Sequence, residues 1–149
     1  MKLIRTNSMN KDFVELVKQL DADLAIRDGD DHSFYNQFNG IDNIKYVVVV
    51  YHKNLAVGCG AIKEYDKNTM EIKRMYTSVQ SRGKGIASKI LTELEKWATE
   101  LSYKKCILET GIKQPEAIAL YEKNGYLLID NYGQYTGIKT SKCFQKIIK

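Results

Sequence analysis

Gln80-Ser81-Arg82-Gly83-Lys84-Gly85-Ile86-Ala87 is a glycine-rich turn that governs the interpretation of the whole sequence. It follows a β-prone run, Glu71 to Thr77, and opens a segment with helical periodicity that reaches Leu101. The first N–H groups of a helix have no intrahelical partner, and the helix dipole makes that end positive. Gly83 and Gly85 carry no Cβ, so a ligand can approach their backbone closely. The turn therefore predicts an anion site suited to a phosphate or a pyrophosphate.

Several phosphate-binding loops compete for this turn. A Walker loop needs four residues between its first glycine and a Gly-Lys-Ser/Thr end, and the turn lacks that spacing. A dinucleotide fingerprint, Gly-x-Gly-x-x-Gly, would have its third glycine at Ser88 and usually lies early in its domain. The pattern Gln/Arg-x-x-Gly-x-Gly/Ala is matched without a gap by Gln80, Gly83 and Gly85. A plain glycine-rich turn before a helix is the remaining alternative.

Two further segments accompany the turn. Downstream, the segment from Ala117 to Tyr126 ends in a Tyr-x-x-x-Gly-Tyr signature that suits the end of a short helix. Upstream, Glu71-Ile72-Lys73-Arg74-Met75-Tyr76 has the pattern of a strand. In this order and at this spacing, the three segments resemble the GNAT superfamily of acyl-CoA-dependent N-acyltransferases. The resemblance spans Glu71 to Tyr126 and implies that the turn binds the pyrophosphate of acetyl-CoA.

Length and composition indicate one soluble domain. The chain has 149 residues, of which 44% are hydrophobic and 28% are charged, so we expect a single N-acetyltransferase domain over residues 1–149. The N-terminus lacks a signal peptide's long apolar stretch, and no apolar run approaches the ~20 residues that span a bilayer. Cys59, Cys106 and Cys143 are widely spaced, which is typical of buried free thiols in a reducing compartment. We therefore expect a cytoplasmic protein with no membrane partner.

The charge of the chain bears on its ligands. A net charge of +5 at pH 7 is compatible with a lysine-rich surface, or with attraction to a polyanion such as coenzyme A. The basic residues are scattered among 18 acidic ones and no nucleic-acid-binding motif occurs, so we expect no nucleic-acid partner. His32 and His52 have no ligand-like spacing to the cysteines, so we expect no metal site.

The pattern of apolar residues predicts an α/β (α+β) fold with helices on both faces of a mixed, mostly antiparallel central sheet. The predicted strands cover residues 3–6, 46–51, 55–65, 69–77, 106–110, 126–130 and 142–148. The predicted helices run from a cap at Ser8 or Asn10 to Leu24, over residues 32–38, from the glycine-rich turn to about Leu101, and from Pro115 to Asn124. We expect strand 106–110 to lie parallel to the strand that contains Glu71. The resemblance implies that these two parallel strands splay apart.

The resemblance also implies where acetyl-CoA lies. Its pantetheine arm is expected between the splayed strands, hydrogen-bonded to the backbones of Met75 and Thr77, or of Tyr76 if the register is shifted by one. The family commonly has an Asn where this chain has Gln114, so a contact from this longer amide to the pantetheine arm is expected but departs from the family. The remaining residues predicted to bind the cofactor are Gln80, Arg82, Gly83, Lys84, Gly85, Ile86, Ala87 and Ser88.

Two side chains are candidates for proton transfer. Tyr121 matches the family's usual general acid, and a phenol with a pKa of about 10 can protonate a departing thiolate. The alternative is an amphipathic tyrosine on a helix face. Glu71 is the candidate general base, because strand alternation predicts it on one face with Lys73 and Met75. A water chain in place of Glu71, or a Glu71–Lys73 surface pair, remains an alternative.

The resemblance implies transfer of an acetyl group from acetyl-CoA to a primary amine by direct attack in a ternary complex. The short chain favours a small-molecule amine over a protein lysine or N-terminus, and a non-catalytic acyl-CoA-binding sensor is the alternative of another class. We expect residues 28–38 and 132–141 to shape the acceptor site, with Glu109, Tyr135 and Ser141 as candidate contacts. Glu109 either orients the amine or pairs with a basic residue. The sequence leaves open whether the chain forms a homodimer, for which the edge of strand 142–148 is the candidate contact.

Overall fold

The chain forms a seven-stranded sheet with α-helices on both faces, in a computed structural model that describes residues 1–28 and 44–148. The strands are β1 (Lys2–Thr6), β2 (Tyr46–His52), β3 (Leu55–Asp66), β4 (Thr69–Thr77), β5 (Lys105–Gly111), β6 (Leu127–Ile129) and β7 (Ser141–Ile147). The helices are α1 (Lys11–Asp28), α2 (Ile86–Glu100) and α3 (Pro115–Lys123). The helix predicted over residues 32–38, and most of the acceptor segment predicted over 28–38, lie outside the described residues.

The order of the strands is β1-β2-β3-β4-β5-β7-β6. Strands β4 and β5 are parallel, and the other neighbouring strands are antiparallel, which confirms the predicted mixed sheet. One expectation is wrong. Strand β7 lies between β5 and β6 and is therefore not the edge of the sheet, because the short β6 covers it over residues 143–145.

The parallel pair is short. Strands β4 and β5 pair only through Thr69 with Lys105, Met70 with Cys106, and Glu71 with Ile107. Both strands continue past this point, β4 to Thr77 and β5 to Gly111. The two strands therefore part after three residue pairs, which confirms the expected splay and opens a cleft in the middle of the sheet.

A β-bulge interrupts β4 beside this cleft. Ala61 of β3 pairs with Lys73, but Cys59 pairs with Tyr76, so β4 carries one extra residue. Arg74 adopts a left-handed backbone with φ of 58° at the bulge. Its buried guanidinium pairs with Asp21 of α1.

The bulge changes which side chains share a face. Met75 packs on the α2 side of the sheet, in the same cluster as Ile72, whereas Glu71 and Lys73 lie on the opposite face from Ile72 by strand alternation. The prediction that Glu71, Lys73 and Met75 share one face is therefore wrong, because the extra residue reverses the alternation after Lys73.

The core has two layers, one on each face of the sheet. The four consecutive valines of β2 are fully buried because the strand is covered on both sides. Val48 and Val50 pack in the cluster with α2, whereas Val47 and Val49 pack in the cluster with α1. An uninterrupted apolar run is thus the expected pattern for this strand.

The cysteines are free and buried, as predicted. Burial raises the pKa of the Cys59 thiol and of the Cys106 thiol to about 12. Burial also raises the pKa of the Cys143 thiol to about 11. In the described residues, none of the helices has the length and apolar character needed to cross a membrane.

We expect the free energy of unfolding to fall as the pH rises above 9.0, the usual thiol pKa. The folded pKa of these thiols is raised, so unfolding releases protons at alkaline pH, and the stability present below pH 9.0 is lost towards pH 12. Each thiol contributes a slope of up to about 1.4 kcal/mol per pH unit. Urea unfolding at about pH 8 and about pH 10.5 measures the fall. Cys59→Ala removes one such group and should show a shallower slope; equal slopes for the two proteins would contradict the assignment.

Candidate active site

A cleft opens between β4 and β5 where their pairing ends. Its larger part has a volume of about 520 Å³ and is bounded by α1, β4, the glycine-rich turn and α3. A smaller cavity of about 110 Å³ adjoins it on the side of β5. The residues that line both cavities are Leu20, Met75, Gln114, Ala117 and Tyr121. The two cavities therefore share a wall at the centre of the cleft.

Most residues predicted to bind the cofactor line the larger cavity. They are Met75, Tyr76, Thr77, Arg82, Gly83, Gly85, Ile86, Ala87, Ser88 and Gln114. Gln80 and Lys84 belong to the same turn but line neither cavity. All of these assignments stay predictions, because a position on the cavity wall does not by itself identify the ligand.

The glycine-rich turn has the geometry of an anion site. Gly83 and Gly85 have φ of 79° and 78°, and a Cβ on either would meet no atom within 4 Å. Gly85 caps α2, so the backbone N–H groups of Ile86, Ala87 and Ser88 lie in the first helical turn, where they have no intrahelical partner. Positive φ explains both glycines, and the open space beside them gives a phosphate access to these donors.

Charged side chains connect α1 to the two other walls of the cleft. Arg82 donates from Nε to the Thr77 carbonyl at 2.9 Å, and its Nη2 lies 3.8 Å from Asp23 of α1. Arg27 of α1 donates from Nη1 to Oε2 of Glu116 at 2.7 Å, and this bond raises the pKa of Arg27. The Arg82 contact occupies one backbone group of Thr77, a residue that we expected to bind the pantetheine arm.

Ser88 and Gln114 both lie at the start of a helix. The Ser88 hydroxyl accepts a hydrogen bond from Nδ2 of Asn124 at 3.1 Å, which ties the start of α2 to the end of α3. Gln114 is the N-cap residue of α3, but its side chain makes no capping hydrogen bond. Gln114 lines both cavities, and its amide has no role in capping the start of α3.

Tyr121 lines both cavities and lies near the C-terminal cap of α3. The Tyr126 N–H donates to the Tyr121 carbonyl at 3.0 Å and the Gly125 N–H donates to the Glu122 carbonyl at 3.1 Å, with φ of 89° at Gly125. These two bonds form a Schellman motif, which gives the Tyr-x-x-x-Gly-Tyr signature its physical meaning. Burial, followed by the charge of Glu109, raises the pKa of Tyr121 above its usual value, so the phenol remains protonated at neutral pH.

Glu71 sits at the point where β4 and β5 part, and both of its oxygens have neighbours. Oε2 accepts a hydrogen bond from the Tyr132 hydroxyl at 2.7 Å, and Oε1 lies 3.8 Å from Nζ of Lys73. The side chains of Lys73 and Glu71 are only 10% and 11% exposed. The alternative of a surface pair is therefore wrong, because both charges are buried in the wall of the smaller cavity.

The acceptor candidates separate into two groups. Glu109 and Tyr135 line the smaller cavity together with Glu71 and Lys73. Burial lowers the pKa of Lys73, and the charges of Glu71 and then of Glu109 offset part of that shift. Ser141 is buried at the start of β7 opposite Gly111 and lines neither cavity. Within the described residues, no group of three or more His, Cys, Asp or Glu side chains is arranged to hold a metal ion.

The predictions included Tyr132 only as the first residue of the acceptor segment 132–141, and considered Lys73 only as half of a possible surface pair with Glu71. Tyr132 lies in an irregular segment after β6, and its contact with Glu71 is separated by 61 positions, so no local pattern reports it. The burial of Lys73 had a usable signal, because a strand with a parallel neighbour is normally covered on both faces.

Comparison with known proteins supports one family. The family model described as "Acetyltransferase (GNAT) family" matches residues 13–126. A protein of Azospirillum brasilense named "IAA acetyltransferase" is 29% identical over 137 residues, which is 89% of this chain and 88% of that protein.

Two solved structures have the same fold. A Klebsiella pneumoniae protein, proposed to be an acyl-CoA N-acyltransferase, has a TM-score of 0.84 at 27% identity and covers 99% of this chain and 97% of its own. A Salmonella typhimurium protein, proposed to be an acetyltransferase and solved with acetyl-CoA, has a TM-score of 0.69 at 14% identity over 100% of this chain and 94% of its own. The second likeness bears on the fold alone.

We expect Gly85→Val to weaken the binding of acetyl-CoA, the ligand that sequence analysis predicts, by at least about tenfold. Valine resists the positive φ of Gly85, and its branched Cβ fills the open space at the start of α2. Calorimetric titration with acetyl-CoA measures the change. Gly137→Val is the matched control, because Gly137 has the same φ of 78° and the same open surroundings but lines neither cavity. Equal affinities for the two variants would contradict the anion site.

Proposed function

This chain is an acetyltransferase of the GNAT family, and from that premise we propose that it transfers the acetyl group of acetyl-CoA to a primary amine by direct attack in a ternary complex. One observation carries the proposal. The cleft between β4 and β5 joins an anion site at the start of α2 to a cavity that holds Glu71 and Tyr121. A cofactor with a phosphate end and a reactive end needs two such sites.

The residues of the cleft suit acetyl-CoA. The turn at Gly83 and Gly85 would hold the pyrophosphate through backbone N–H groups. The edge of β4 that faces β5 makes no pairs with β5 beyond Glu71, so the backbone of Met75 can bind the pantetheine arm as an added strand edge. When bound, acetyl-CoA supplies an activated acetyl thioester. The acetyl-CoA in the Salmonella structure with the same fold supports this choice of co-substrate.

Glu71 and Tyr121 divide the proton transfers between them. Glu71 takes the proton of the attacking amine, directly or through a water, as the C–N bond forms. Tyr121 gives its proton to the departing sulfur as the C–S bond breaks. The raised pKa of Tyr121 keeps that proton in place until it is needed. Proton gain at one residue and loss at the other balance over the reaction.

The smaller cavity supports a small-molecule acceptor. Its volume is about 110 Å³, and Glu71, Lys73 and Glu109 form its charged walls. A carboxylate-lined cavity of this size suits a compact amine, and the name of the Azospirillum relative also refers to a small acceptor. We further propose that residues 1–149 form one acetyltransferase domain, because one sheet spans Lys2 to Ile147. The three buried free thiols support a cytoplasmic location.

We expect Tyr121→Phe to bind acetyl-CoA normally and to lower kcat for acetyl transfer by about 10²-fold, because the departing thiolate loses its proton donor. The release of coenzyme A thiol in the presence of a panel of primary amines, with mass analysis of the products, measures transfer. Tyr126→Phe is the matched control, since the Tyr126 ring contacts Tyr121 but its hydroxyl donates to Glu95 and lines neither cavity. Binding of acetyl-CoA by the wild type without any acetylated amine would overturn the proposed function in favour of a sensor.

A further inference from the structure

We propose that Tyr132 and Lys73 are positioning residues that hold the Glu71 carboxylate in the cleft, one at each of its oxygens. The inference rests on the proposed role of Glu71 as the base. Each of the two residues contacts one oxygen of Glu71, and the proposed role of each is exerted through that carboxylate. The consequence is that the segment after β6 is part of the catalytic machinery, although Tyr132 lies 61 positions from Glu71 in the sequence.

The ring of Tyr132 is held by contacts with two other aromatic side chains. Its ring packs edge-to-face on Tyr65, with centroids 5.2 Å apart and planes at 76°. On another side it packs edge-to-face on Tyr135, with centroids 5.8 Å apart and planes at 88°. Contacts of this geometry stabilise aromatic pairs beyond the area they bury. The hydroxyl that donates to Oε2 of Glu71 at 2.7 Å is thus carried by a ring with restricted orientation.

The backbone of the same segment is held by Asn131. Its Nδ2 lies 3.1, 2.9 and 3.1 Å from the carbonyl oxygens of Tyr135, Ile138 and Ser141. The Tyr135 N–H also donates to the Tyr132 carbonyl at 2.9 Å. One side chain therefore joins the two ends of the segment, from Tyr132 to the first residue of β7. A loop held in this way can position a side chain as a helix or strand does.

Lys73 acts from the other side of Glu71. Its Nζ lies 3.8 Å from Oε1, and its side chain is 10% exposed. It lines the smaller cavity together with Glu71 and Glu109. Glu71 and Glu109 are like charges on one cavity wall and repel each other, and a lysine on the same wall offsets that repulsion. Lys73 therefore places a positive charge beside the oxygen of Glu71 that Tyr132 does not contact.

Several titratable and charged groups lie around Glu71 and Lys73 on the neighbouring elements. The groups around Glu71 are Lys63 of β3, Lys73 of β4, Glu109 of β5, Cys143 of β7, and Tyr132 and Tyr135 of the segment after β6, with the Asp21–Arg74 pair on the side of α1. Burial, followed by the charge and hydrogen bond of Glu71, raises the pKa of Tyr132, so its hydroxyl remains a donor at neutral pH.

The test compares Tyr132→Phe with Tyr65→Phe. The first variant keeps the aromatic packing and removes only the hydroxyl that donates to Glu71. The second removes the hydroxyl of a neighbouring ring that packs on Tyr132. The pH profile of kcat/KM is measured with the amine that gives the fastest thiol release in the wild type. We expect the acid limb of Tyr132→Phe to move up by about one pH unit, because a carboxylate that loses a donor is protonated more readily. Tyr65→Phe should retain the wild-type profile.

A second experiment tests whether the effect of Tyr132→Phe on kcat requires Glu71. In a Glu71→Gln background, Tyr132→Phe should cause no further loss of kcat, because a residue that acts through Glu71 has nothing left to position. Lys73→Gln should move the acid limb in the same direction as Tyr132→Phe, which gives an independent variant. Melting temperature and acetyl-CoA affinity of each variant report whether the fold is intact.

The outcomes are distinct. An unmoved acid limb in both Tyr132→Phe and Lys73→Gln, or an equal loss of kcat from Tyr132→Phe with and without Glu71, would overturn the positioning role and leave the proposed function standing. A wild type that acetylates no amine would overturn the proposed function, and this inference with it. A shifted limb together with no added loss in the Glu71→Gln background would establish it.

Discussion

The site depends on the early end of one hydrogen-bonded ladder. Backbone N–H and C=O groups inside a protein must find partners, so neighbouring strands normally stay paired for their full length. Strands β4 and β5 part after Glu71 and Ile107, yet both continue. This parting gives β4 an edge that a ligand can use, and it places Glu71 at the apex of the opening. The glycine-rich turn and α3 then supply the two ends of the cleft.

The side chains of the site come from parts of the chain that are far apart in sequence. Tyr121 lies near the C-terminal end of α3, and Glu71 lies on β4. Tyr132 lies in the segment after β6, and its hydroxyl donates a hydrogen bond to Glu71. The pairs of Arg27 with Glu116 and of Arg82 with Asp23 keep α1 over the same cleft. Because these interactions are long-range, the site exists only when the whole sheet has assembled.

Local patterns were sufficient for much of this architecture. The glycine-rich turn, the buried valine run of β2 and the cap of α3 each have a physical signature within ten residues, and each was predicted. The bulge at Arg74 was not, since a positive φ at an arginine leaves no mark in the sequence and its cause lies in the pairing with β3. The contact between Tyr132 and Glu71 was missed for the same reason, because it is decided by packing between distant segments.

The strand order has a consequence for folding of the enzyme during its synthesis. Strand β5 has three residue pairs with β4 but seven with β7, from Lys105–Ile147 to Gly111–Ser141. In a nascent chain that has emerged only through α3, β5 can pair with β4 alone, through three residue pairs. The edge of β5 that β7 later covers is still exposed. Such edges invite pairing with other chains. Strand β5, which carries Glu109, therefore gains most of its strand pairs only when β7, the last strand of the sheet to be made, is in place.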